Sequence, residues 1–149
     1  MAYYEDLSEY KYDLSFSHTG TRNIGWLAKG HGFPIAEPSD ETLGILWLFC
    51  SVQFALTRGA HGCDFCHTED FVYAERAGER LLLGTSEIRV FPVSGPAIYA
   101  APTTIYHYMF VHHYKPPDEF LEALHNGPRP PSDVYMERLK GLPVGKRRL

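Results

Sequence analysis

Three features of the sequence predict an α+β fold, a small antiparallel sheet with a β-hairpin packed by about four helices. Apolar residues recur at helical spacing from Leu43 to Phe54. Glu87 to Val93 and Ala97 to Ala101 read as two strands returning at Ser94-Gly95. After Pro102 the chain carries repeated helix start and stop signals. With 149 residues, 44% hydrophobic and 21% charged, the chain reads as one domain over 1–149, large enough to fold without disulfides. That composition excludes disordered and collagen-like classes.

Residues 1–22 form an N-terminal arm or strand in this reading, because Tyr10, Tyr12, Leu14 and Phe16 alternate at strand period. Gly25, Gly30, Gly32 and Pro34 make the stretch around Trp26 and His31 a loop or short strand. Ser39 has N-cap chemistry, with Asp40 and Glu41 in the first turn, where the helix dipole favours acids. Leu43, Leu46, Trp47, Cys50 and Phe54 then share one face, and Ile45, Leu48, Phe49 and Val52 cover much of the rest. A helix apolar nearly all round is buried by its own domain or by a second copy, so a homodimer is allowed. Cys50 on the core face is a small buried hydrophobe.

Phe71 to Tyr73 and Leu81 to Leu83 are short strands, and Pro92 pushes its strand to a sheet edge. Pro102 opens a helix through about Tyr114, stopped by Pro116-Pro117. Asp118 and Glu119 begin another, with Phe120, Leu121 and Leu124 buried, ending at Asn126-Gly127-Pro128. Ser132 and Asp133 cap a last helix carrying Tyr135, Met136 and Leu139, and 141–149 is a flexible basic tail.

The 14 Lys and Arg against 18 Asp and Glu give a net charge of −4, so nucleic acid is not an expected partner. The Leu43–Val52 run falls short of the ~20 residues of a membrane span, and the acidic, aromatic start lacks the basic and apolar pattern of a secretory signal. Three Cys is an odd number for a disulfide framework. A cytoplasmic location follows from these features.

Chemistry concentrates in Arg58-Gly59-Ala60-His61-Gly62-Cys63-Asp64-Phe65-Cys66-His67. Two thiolates at Cys-x-x-Cys spacing can bite one ion, and the glycines permit the tight knuckle. A closed zinc site needs two further ligands. His61 is the local candidate, while His67 is awkwardly adjacent to Cys66. The remaining candidates lie on the helix after Pro102. On a regular helix His107 and His112 point about 140° apart, and His107 and His113 about 120° apart, so only one side of that helix can face the ion. His107 is the expected distant ligand, with His112 and the loop residue His31 in reserve. The expected set is therefore His61, Cys63, Cys66 and His107 around zinc. The order knuckle, hairpin, helix looks like a treble clef. His18 and His125 read as surface residues.

Cys63-x-x-Cys66-His67 also spells a c-type haem attachment string, which requires export. A thioredoxin-like pair lacks its strand and helix context, and a zinc deaminase would need an H-x-E motif that does not occur. In Ser86-Glu87-Ile88-Arg89-Val90, Glu87 and Arg89 share a strand face and read as a structural ion pair or hydrogen-bond anchor. Their functional alternative is Glu87 as a general base at an open zinc position with Arg89 holding an anion.

Several strings occur together: Asn23-Ile24-Gly25-Trp26-Leu27, the Arg58-Gly59-x-His61-x-Cys63-x-x-Cys66 knuckle, Ser86-Glu87-Ile88-Arg89-Val90, Tyr99-Ala100-Ala101-Pro102 with Ile105-Tyr106-His107-Tyr108, and Tyr114-Lys115-Pro116-Pro117. Their order over roughly 22–125 resembles an uncharacterised family of small bacterial proteins known only as a domain of unknown function. The resemblance implies a bacterial, zinc-containing domain without an assigned activity.

The function expected from the residues is that of a zinc-stabilised protein acting on a protein partner, as an adaptor, regulator or immunity-type protein, away from membranes. Its Tyr-rich surface suits such contacts. The alternative is a zinc-dependent hydrolase or treble-clef nuclease using Glu87.

Overall fold

The computed structural model describes residues 3–12, 20–52, 54–56, 60–66 and 71–142. Strand β1 (Thr21–Asn23) precedes helix α1 (Asp40–Cys50), and the hairpin strands β2 (Val72–Arg76) and β3 (Glu79–Leu83) follow. Strands β4 (Glu87–Val90) and β5 (Ile98–Pro102) lead into helices α2 (Ile105–His112), α3 (Asp118–Asn126) and α4 (Asp133–Lys140). The fold is α+β.

Helix α1 starts where its cap chemistry sets it. Ser39 Oγ accepts from Thr42 N at 3.1 Å, an N-cap worth about 1 kcal/mol. The helix closes at Cys50, before the apolar pattern ends, so Phe54 instead bridges to Glu87 in an isolated antiparallel pair. Leu43, Leu46, Trp47 and Phe49 are buried against α2, α3 and β4, each contributing about 2 kcal/mol of apolar transfer. The chain's own elements thus cover most of this helix's apolar residues, while Leu48 stays exposed.

Two sheets form. In the first, the order is β1-β5-β4, with β4 and β5 antiparallel from Glu87↔Pro102 to Val90↔Tyr99. Pro92 lies just beyond β4, which is an edge strand as expected. The sheet is not wholly antiparallel, because β1 pairs parallel to β5 through Thr21↔Ile98 and Asn23↔Ala100. Thr-Arg-Asn has no apolar alternation that could announce a strand; its pairing comes from β5. Tyr10, Trp26 and Ala100 form a small aromatic cluster on this sheet with Tyr4 and Tyr12 packed against it, and Trp26 Nε1 donates to Ala100 O at 3.1 Å. Of the expected arm or strand over 1–22, the described part is an arm held by aromatic packing, with Glu9 bridged to Arg22 and no strand at Tyr10–Tyr12; its Leu14–Phe16 part lies outside the described residues.

The second sheet is the β2–β3 hairpin, in register from Val72↔Leu83 to Arg76↔Glu79. Ala77 and Gly78 both have positive φ, 49° and 81°, the two-residue turn that matches strand twist. Ser132 caps α4 through Tyr135 N at 3.3 Å, and Tyr135 Oη donates to Arg89 O at 2.7 Å, pinning that helix to β4. The basic tail from 143 onward lies outside the described residues.

Candidate metal centre

The Cys knuckle is held by backbone bonds at its base. His61 N donates to Gly84 O at 2.9 Å, and Gly84, between β3 and β4, has φ +86°. A Cβ on Gly84 would lie 2.1 Å from His61 O, so only glycine lets the knuckle approach this closely. Gly84 N in turn donates to Thr103 Oγ1 at 2.8 Å, just ahead of α2. Above this base, the Phe65 ring packs edge-on to Tyr108 with centroids 6.0 Å apart and lies 5.5 Å from His112. The loop is thereby pressed onto one side of α2.

That docking brings together Cys63, Cys66, His107 and His112, whose donor atoms all lie within 4.8 Å of one another. Cys63 Sγ is 3.3 Å from His112 Nε2, and Cys66 Sγ is 3.3 Å from His107 Nε2 and 3.5 Å from His112 Nε2. A tetrahedral ion with Zn–S and Zn–N bonds of normal length has ligand–ligand edges of about 3.3–3.8 Å. Three of the six donor pairs have that spacing, and all four atoms lie close enough together to hold a metal ion. Two thiolates and two neutral imidazoles around a divalent cation also sum to zero charge, which suits a half-buried site.

Of the expected set, Cys63, Cys66 and His107 stand in this group. His61 stands outside the group, and His112 takes the fourth place beside His107 on the same helix. The regular-helix argument against that pair fails because α2 does not end regularly. Tyr108 O accepts from His113 N and, at 3.0 Å, from Tyr114 N, five and six residues on. This widened last turn rotates less per residue than an α-helix, and His113, in the left-handed region at φ 56°, ends the helix there rather than at Tyr114. The two imidazoles come to 5.1 Å between centroids. Adjacent histidines at a helix end were the visible signal; the winding that joins His107 to His112 was not.

Burial sets the protonation of the metal-free group. It pushes the Cys63 thiol up to about 11, and it pulls His107 down to about 4, helped by His112. His112 is lowered by burial as well. Both imidazoles are therefore neutral and ready to coordinate, while Cys63 holds a proton that a metal must displace.

The other candidates lie elsewhere. His31 is exposed and stacks on Tyr3 at 3.7 Å. Glu87 and Arg89 are 2% and 1% exposed, with Arg89 Nη1 2.8 Å from Glu87 Oε1 and Tyr10 Oη donating to Glu87 Oε2 at 3.0 Å. The guanidinium lies 4.7 Å from the Tyr10 and Phe54 ring centroids. The expected ion pair thus forms, with both members buried, and Glu87 is not in the Cys and His group. His125 is half-buried rather than a free surface residue, with Nε2 2.8 Å from Thr42 Oγ1. Cys50 is buried, its thiol pushed up to about 12. Gly59, His67 and His18 lie outside the described residues.

Fold and site together define an α+β domain with a Cys2His2 group that could hold a metal ion. Residues 2–125 match a family described as a domain of unknown function, DUF7919, and the chain belongs to it. Comparison with curated proteins and with solved structures found no match. Among the described residues no helix is long and apolar enough to cross a membrane.

Proposed function

We propose that this domain is a zinc-stabilised protein that acts by binding another protein, with Cys63, Cys66, His107 and His112 as the zinc ligands. One observation carries the reading: four soft or borderline donors lie within 4.8 Å. Sulfur and imidazole in equal number favour zinc over calcium, magnesium or manganese. Four protein donors complete a tetrahedral sphere and leave no position for an activated water, which characterises structural rather than catalytic zinc. Two ligands from a knuckle and two from a helix beyond a hairpin also agree with a treble-clef arrangement. The hydrolase alternative loses support because the Glu87 carboxylate is engaged by Arg89 and Tyr10.

The ion would fasten the 60–66 loop to α2 and so fix the surface around them, the role of an adaptor or regulator scaffold. The test is elemental analysis of purified, reduced protein beside Cys63→Ser and His107→Ala. One zinc per chain, lost together with thermal stability in both variants, supports the reading. Fresh protein without metal, equally stable with and without added zinc, refutes it.

A further inference from the structure

A groove of about 410 Å³ opens between the N-terminal segment and the connection from α2 to α3. Tyr3, Tyr4 and Phe33 supply aromatic walls, and Glu5, Asp6 and Asp118 supply carboxylates. Among the described residues lining it, Lys115 is the one cation, and its Nζ lies 3.0 Å from Asp118 Oδ1. Asp6 is fixed by neutral donors, Gly25 N at 2.9 Å and Tyr114 Oη at 2.7 Å, so its charge is oriented but not cancelled. Among the described lining residues three carboxylates stand against one ammonium, an acidic excess of the same sign as the chain's net charge.

The walls are braced. Tyr3 stacks on His31 at 3.7 Å, and Tyr4 meets Trp26 edge-on at 5.6 Å. Phe33 packs edge-on against Tyr114 at 5.9 Å and against Phe65 of the Cys knuckle at 5.4 Å. Phe65 itself lies against His112. Lys115 N donates to Pro34 O at 2.9 Å, and Ala36 N to His113 O at 2.9 Å, tying the Phe33-bearing stretch to the connection from α2 to α3. A continuous row of rings therefore runs from the Cys and His group to the groove.

We propose that this groove is the domain's docking surface for a Lys- or Arg-bearing segment of its partner protein, which names the partner chemistry for the interaction role above and rests on that reading. An aromatic wall facing carboxylates fits a side chain with an apolar stem and a cationic head. The stem lies along the rings while the head meets the acids and the ring faces. An anionic or purely apolar segment would leave the carboxylates desolvated without compensation.

The test titrates the full, zinc-supplemented chain against a fluorescent, end-capped peptide of alternating Gly and Arg. Matched peptides carry Glu or Pro in place of Arg. The expected result is binding of the Arg peptide alone, weakened by salt, and about tenfold or more weaker in Glu5→Lys. Tyr3→Ala, which changes no charge, should also weaken it. Glu75→Lys on the β2–β3 hairpin makes the same charge change away from the groove and should leave affinity nearly intact. No binding, equal binding of the Glu or Pro peptide, or an equal loss in Glu75→Lys overturns the proposal. Zinc content and circular dichroism of the same samples separate the two readings. A folded, zinc-loaded protein that ignores the Arg peptide removes the groove and leaves the metal centre standing. A folded, zinc-free protein that binds with the same groove dependence does the reverse.

Discussion

Replacing His112 by alanine removes one of four donors while leaving the knuckle's backbone contacts in place. Structural zinc binds with an apparent free energy of about 10–16 kcal/mol, so one ligand of four carries about 3 kcal/mol, or about 100-fold in affinity. His112 is half-buried at the helix end and touches Phe65, so truncation also costs packing, but that loss is independent of metal. The assay is competition for zinc against a chromophoric chelator, with His61→Ala as the paired control. His61 reaches the site's surroundings through its backbone N–H, which alanine keeps. The expected outcome is an affinity loss of about 100-fold in His112→Ala and little change in His61→Ala. Cobalt substitution gives a second readout, since a four-coordinate thiolate site shows intense visible bands that a site short of one ligand alters. If His61→Ala released zinc while His112→Ala held it, the geometric reasoning about α2's widened turn would be wrong.

Gly84→Ala should destabilise the protein by about 3 kcal/mol, from the positive-φ cost and the 2.1 Å approach to His61 O, as measured by urea unfolding; a change below about 1 kcal/mol would mean the knuckle does not rest there. Arg89→Met takes from the buried Glu87 its 2.8 Å partner and should cost about 3–5 kcal/mol, with much of the loss recovered in the double variant Glu87→Gln/Arg89→Met. A double variant as unstable as the single would locate the cost in packing instead. Cys50, 3% exposed and raised to about 12, carries almost no thiolate at neutral pH and should resist alkylation in the folded, metal-free protein while Cys66 reacts; mass spectrometry of the alkylated peptides reads this directly.

Local sequence determined the elements whose signals are local. Ser39 and Ser132 cap the helices that follow them, the Glu87–Val90 and Ile98–Pro102 strands pair across the turn, and Glu87 meets Arg89 on one strand face. The Cys63 and Cys66 knuckle and the helix supplying its partners were legible for the same reason, since residue type and spacing dictate what two thiols can do. Tertiary structure alone decided the rest. β1 exists because β5 lies beside it. His112 joins His107 because the last turn of α2 loosens as Tyr108 O takes two distant donors, and periodicity arithmetic assumes a winding that helix ends need not keep. His61 stands outside the group because its nearness in sequence to Cys63 does not set the direction of its ring, while its backbone N–H is bonded to Gly84 O. The groove, assembled from residues 3–6, 32–34 and 115–118, had no local signature. Its acids and rings are ordinary apart and share one surface only when the chain folds them to one place.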